Sequence, residues 1–246
     1  MTVMTMTNTI APAGGRRRGR YAKTEATRQA ILDAALEVFA GSGYRSGSLR
    51  EIAALVGMSE AGLLHHFRNK SALLEAVLEE KDERARDIVP TTSDDGAAIL
   101  RGLIALAAYN ASIPGVVELF ATLSAEATAP DHPAHAYFVR RYEYTRTTLE
   151  RAFGNLEAEG RLRHGMTPRR AAVTLIAVMD GLQVQWLLDR SVVDMAEELR
   201  ALFATFADID WDVAPQPAAD ESASAGEPAP AGEPDPAGEH DPEENE

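Results

Sequence analysis

Residues Ser48 to Phe67 read SLREIAALVGMSEAGLLHHF. Ser48 suits a helix N-cap, and Glu51 three residues on completes a capping box. Leu49, Ile52, Ala53 and Val56 recur at helical spacing, which gives a short helix one apolar face. Gly57 ends that helix, because glycine tolerates the left-handed turn a helix terminus favours. Ser59 caps a second short helix with Leu63, Leu64 and Phe67 on its apolar side. Two short helices joined by a tight glycine-containing turn form a helix-turn-helix, whose second helix is suited to a DNA major groove.

The surrounding residues carry the pattern further. Upstream stand Arg28, Ile31, Leu32, Ala34-Ala35, Phe39 and Gly43-Tyr44; downstream follow Asn69-Lys70 and Leu73-Leu74. Together with Ser48 to Phe67 they resemble the DNA-binding domain of the TetR family of transcriptional regulators. Two features depart from the family's habit. Leu64 and His65 stand where an aromatic pair is common, and Glu60 puts an acid at the start of the reading helix. Both bear on which operator is read.

On the reading helix, Ser59, Glu60, Ala61, Gly62, Leu64 and His65 are candidates to face the groove. Ser59 and the helix N-terminus suit phosphate or base contacts. Glu60 suits the amino group of cytosine, and Leu64 a thymine methyl. Gly62 allows close backbone approach. His65 and His66 point about 100° apart as helical neighbours, so they do not share one face. The resemblance implies a phosphate contact for His66, a place nearer the bases for His65, and a phosphate contact for Lys70. Ser48 and Arg50 lie at the start of the first short helix, and Arg50 suits bidentate pairing with guanine. Leu63 and Phe67 are expected in the core.

The charge distribution supports this reading. The chain has 246 residues and a formal net charge of −14. Ala214 to Glu246 holds ten acids and no lysine or arginine, so removing those ten from −14 leaves −4. Arg16 to Lys70 holds ten basic and five acidic residues, a local +5. Local charge, not the total, meets phosphates. Arg16, Arg17, Arg18 and Arg20 precede the first expected helix and read as a basic arm for the DNA backbone or minor groove.

The expected organisation is a disordered basic arm over 1–22 and a helix-turn-helix domain over 23–70, with the motif at 48–67. A helical regulatory and dimerisation domain follows over 71–210, then a disordered acidic tail over 211–246. No segment alternates with period two over a useful length, so the expected class is all-α with about nine helices. The first helix is expected from about Thr24 to Ala40, the fourth from Asn69 to about Ile88. Asp131 or His132 is expected to cap a long helix reaching about Glu159. Asp131-His132-Pro133, Arg140-Arg141-Tyr142-Glu143 and Asp180 to Leu188 resemble the subgroup with a BetI-type C-terminal domain.

Tyr109, Phe120, Tyr137, Tyr142, Gln183 and Trp186 are the candidates to line a small-molecule pocket. Gly181 inside a helix costs about 1 kcal/mol relative to alanine, which close approach of another helix offsets. Gly181, Val184 and Leu188 are therefore expected at a homodimer interface, in a four-helix bundle with the last helix and their symmetry mates. The tail repeats Ala-Gly-Glu at 225, 231 and 237 and is too polar to bury a core.

Other classes have less support. Cysteine is absent, which removes disulfides and thiolate metal sites. His132 and His135 share a helix start with Asp131, but ordinary surface histidines are the expectation over a metal. No Gly-rich phosphate loop, nucleophile motif or suggestive carboxylate pair is present, so no enzyme and no cofactor are expected. No apolar run approaches the roughly 18 residues that span a bilayer. The sequence thus reads as a cytoplasmic, ligand-responsive repressor that binds a palindromic double-stranded operator as a homodimer. The alternative is a helical small-molecule or partner-binding protein that has lost specific DNA recognition.

Overall fold

The computed structural model describes residues 15–211, with the side chains of 15–23 left aside. Nine helices and no sheet make up the described residues: α1 Gly15–Ser46, α2 Leu49–Val56, α3 Glu60–His66, α4 Lys70–Ile88, α5 Gly96–Ala111, α6 Pro114–Glu126, α7 His135–Ala158, α8 Pro168–Leu188 and α9 Met195–Phe206. One isolated antiparallel bridge joins Leu162 to Ala207.

Local chemistry sets many of the ends. Ser48, Ser59, Asn69, Asp95, Thr167 and Asp194 cap α2, α3, α4, α5, α8 and α9, each accepting a backbone N–H of the first turn. Such caps satisfy donors that a helix start otherwise leaves open. Gly57 closes α2 in the left-handed region at φ 73°. Pro114 and Pro168 open α6 and α8, where a missing N–H costs nothing.

Two starts differ from expectation. Helix α1 begins at Gly15, not near Thr24, so the backbone of Arg16, Arg17, Arg18 and Arg20 forms its leading turns instead of an unstructured arm. Arginine, alanine and lysine are good helix formers, and extending an existing helix avoids the cost of nucleation. The side chains of these arginines, the disorder expected for 1–14 and the acidic tail over 212–246 lie outside the described residues. Helix α7 starts at His135, and neither Asp131 nor His132 caps it. His132 is instead buried: its Nδ1 accepts from the Ala134 N–H at 3.2 Å, and its Nε2 lies 3.3 Å from Glu126 Oε2. His135 meets the Ala127 carbonyl at 2.8 Å. Both histidines thus serve the α6–α7 turn, and His132 is no surface residue.

The core has two parts. The front cluster joins α1 to α4 and includes Ile31, Phe39, Ile52, Leu63, Phe67 and Leu74, with Leu119, Leu123 and Phe138 of α6 and α7. The rear cluster packs α5, α7, α8 and α9 through Leu100, Leu149, Phe153, Leu175 and Phe203. The seam between them is specific. Gly43 adopts φ 71° and ψ 174°, which glycine alone enters without strain. A Cβ there would lie 2.3 Å from Glu126 Oε1. The adjacent Tyr44 N–H donates to Glu126 Oε2 at 3.1 Å. Helix α6 therefore holds the front domain by the kink at the end of α1.

Helix α8 corrects one expectation: its 21 residues, with a mean hydropathy of 1.5 over the most apolar stretch, are long and apolar enough to cross a bilayer. Its packing gives a different reason for that composition. Ala171, Ala172, Leu175, Leu182 and Trp186 are buried against the rear core. Val173, Ala177, Val184 and Leu188 remain exposed along the other face.

Candidate nucleic-acid interface and effector cavity

Helix α3 presents its polar side because its apolar side is anchored. Leu63 is fully buried and Phe67 is 5% exposed. Arg28 of α1 lies over the Phe67 ring at 4.8 Å and seals that contact. Ser59, Glu60, Ala61, Leu64 and His65 are left exposed along the helix, while Gly62 and His66 are half-buried. The Ser59 Oγ accepts from the Gly62 N–H at 3.1 Å, which holds the first turn. Ser48 and Arg50 are exposed at the start of α2, and Ser48 Oγ accepts from the Glu51 N–H at 3.1 Å. The candidate DNA contacts are thus divided between the start of α2 and the length of α3.

Lys70 is less free than its position suggests. Its ammonium donates to the Arg45 carbonyl at 3.2 Å and lies 4.5 Å from the Tyr44 ring centre. Partial burial lowers its pKa, and Glu126 opposes that shift. The Tyr44 hydroxyl shares a 2.9 Å hydrogen bond with Ser71 Oγ. The start of α4 is thereby tied to the end of α1.

Behind the reading head lie two adjoining cavities. The smaller, of about 90 Å³, is lined by Phe120, Phe138, Tyr142, Asp180 and Gln183 among others. The larger, of about 800 Å³, lies between α4, α5 and α7 and opens on Tyr137, Arg140 and Tyr144. Of the six residues expected at a pocket, Phe120, Tyr142 and Gln183 line the first and Tyr137 the second. Tyr109 and Trp186 line neither. Tyr109 accepts from Arg84 at the surface, 3.3 Å away, and Trp186 is buried in the rear core.

Charged groups outside the expected set shape both cavities. Arg141 lines each of them, lies over the Phe120 ring at 4.4 Å and is in direct contact with Asp82 of α4. Burial pushes its guanidinium down to about 10, while Tyr142 and Asp180 pull the other way. The Tyr137 hydroxyl donates to Asp82 at 2.6 Å. The Tyr142 hydroxyl donates to Asp180 at 2.8 Å, and burial together with that carboxylate pushes the phenol up to about 12. Burial raises the Asp180 carboxyl, against the pull of Tyr142 and Arg141. An acid inside the apolar run Ile176 to Leu182 was the available signal for Asp180.

A capped reading helix on a front domain led by an arginine-rich segment, set against a helical body with cavities, defines a helix-turn-helix DNA-binding protein with a sensor domain. Residues 31–77 match the family described as bacterial regulatory proteins, tetR family, and residues 103–209 match the BetI-type transcriptional repressor, C-terminal family. The chain belongs to the TetR family.

Relatives agree. The transcriptional activator FasR of Mycolicibacterium smegmatis is 38% identical over 88 residues, which span 34% of this chain and 40% of that protein. The regulator UidR of Escherichia coli is 42% identical over 65 residues, 26% of this chain and 33% of that one. The chain thus matches less than half the length of these curated relatives. Solved structures align more widely. NalD, the secondary repressor of the MexAB-OprM multidrug efflux pump in Pseudomonas aeruginosa, is 26% identical. It covers 74% of this chain and 98% of its own, with a TM-score of 0.54. SmeT in complex with triclosan shares the fold at 23% identity, covering 80% of this chain and all of its own, with a TM-score of 0.64.

Proposed function

We propose that the protein is a cytoplasmic, homodimeric transcriptional repressor that binds a palindromic DNA operator and is released by a small molecule. It acts by binding, not by catalysis. The observation that carries this reading is α3: Leu63 and Phe67 lock it into the front core while Ser59, Glu60, Ala61, Leu64 and His65 stay exposed. A two-fold pair of such helices, about one DNA turn or 34–36 Å apart, fits two half-sites of a palindrome. Ser48, Arg50, His66 and Lys70 supply the flanking contacts, Lys70 after leaving the Tyr44 ring.

The exposed apolar stripe of α8 supports the dimer. Val184 is 50% and Leu188 82% exposed, and a Cβ at Gly181 would meet nothing within 4 Å. A second α8 fits on that face. Occupation of the cavities beside α4 favours a different separation of the two heads. A coupling of about 1–3 kcal/mol already changes operator affinity some 5- to 150-fold.

A gel shift with the DNA flanking the protein's own gene tests the reading. Retention that survives excess unrelated duplex is expected. Equal competition by any duplex would point instead to a binding protein without an operator.

A further inference from the structure

The larger cavity separates charges by helix. Its α4 side carries Glu79, Asp82 and Glu83, with Arg86 one turn beyond; its α7 side carries Arg140 and Arg141. Deeper in, the wall is apolar and includes Ile99, Leu103, Leu149 and Met179. At about 800 Å³ it falls in the size range of small-molecule sites, roughly 300–1,000 Å³. Two contacts cross it: Asp82 with Arg141, and the Tyr137 hydroxyl with Asp82. Both pull α4 toward α7, and both end on Asp82.

The sign of a ligand's charge then decides its effect on α4. A cation seated here neutralises the acids of α4 and draws the two helices together. An anion pairs with the arginines of α7, displaces Asp82 as their counter-charge and repels the acidic face of α4. Arg141 is the natural anchor. Its planar fork of donors suits a carboxylate, and its stacking on Phe120 holds the guanidinium at the junction of the two cavities.

We infer that the α4–α7 cavity takes an amphiphile with an acidic head and an apolar tail, its head exchanging with Asp82 for Arg141. This rests on the sensor-cavity reading above and adds the chemical class of the effector and the contact it breaks. Helix α4 continues directly from the reading head, so loss of the Asp82–Arg141 contact frees the element that positions α3.

Three probes of matched length separate head from tail: decanoate, decanol and decyltrimethylammonium, each titrated below its micelle concentration or solubility limit into the full chain by calorimetry. Decanoate should bind at least about tenfold tighter than either of the others, as charge-assisted bonds to a half-buried cation imply. Arg141→Gln should remove that preference. Asp82→Asn should tighten decanoate binding severalfold, since it frees Arg141 while keeping a side chain of the same size. Equal or tighter binding of the alcohol or the ammonium overturns the inference. So does an unchanged decanoate preference in Arg141→Gln. If that variant does not fold, weaker or unchanged decanoate binding by Asp82→Asn overturns it alone. These titrations contain no DNA. Lost decanoate preference with an intact gel shift sinks this inference only, and the converse result sinks only the operator reading.

Discussion

At the scale of single residues, the decisive positions are those where a side chain has no freedom to change. Gly43 is one. Its backbone lies where other residues are strained, and any Cβ meets Glu126 at the seam between the two domains. Gly43→Ala should cost about 1–3 kcal/mol of stability, measured by urea unfolding. Glu126→Ala should cost less in that background than in the wild type, because the added Cβ already displaces the carboxylate that Tyr44 and His132 engage. Arg50→Ala belongs to the opposite kind. Arg50 is exposed, so its loss should leave stability unchanged and weaken specific operator binding by about 1–3 kcal/mol. Unchanged affinity in the gel shift would remove Arg50 from the interface. The caps Ser48 and Ser59 were legible in the sequence because their partners lie three residues away. The roles of His132, Lys70 and Arg141 were not, because Glu126, Tyr44 and Asp82 are brought to them only by tertiary packing.

At the scale of elements, periodicity located the helices, and capping chemistry located both ends of α2 and the start of α3. The errors fall where those signals are silent. No breaker stands between Gly19 and Thr24, so nothing local marks a start for α1, and the helix runs on to Gly15. Asp131 and Pro133 imitate a helix start, yet burial of His132 against Glu126 commits that stretch to a turn. The expected pocket consists of aromatics and Gln183, while the cavity walls add the charged faces of α4 and α7. Two predictions belong here. Deleting Arg16 to Arg20 should lower DNA affinity and flatten its dependence on salt, because fewer counterions are released; an unchanged salt slope would exclude these arginines from the interface. Leu188→Glu places a charge on the exposed stripe of α8 and should shift sedimentation from dimer to monomer without loss of helicity. A dimer that persists would move the interface off α8.

At the scale of the molecule, function follows from how charge and apolar surface are divided. The front segment from Arg16 to Lys70 is +5 although the chain as a whole is −14, so a duplex is drawn to one end. The exposed apolar stripe of α8 lies at the other end of the helical order, and the proposed dimer places a second copy on it. Between them, Glu126 ties α6 to the kink after α1, and Asp82 ties α4 to α7. On the proposed reading, a molecule seated in the larger cavity acts on the second tie and thereby on the spacing of the two reading helices. The most direct measurement of this account is a backbone footprint, with the stoichiometry of the bound species, on the DNA flanking the protein's own gene. Two chains should protect two symmetric half-sites on one side of the duplex, centred about one helical turn apart or a whole multiple of it. A single unsymmetrical footprint, or protection spread evenly over any duplex offered, would contradict it.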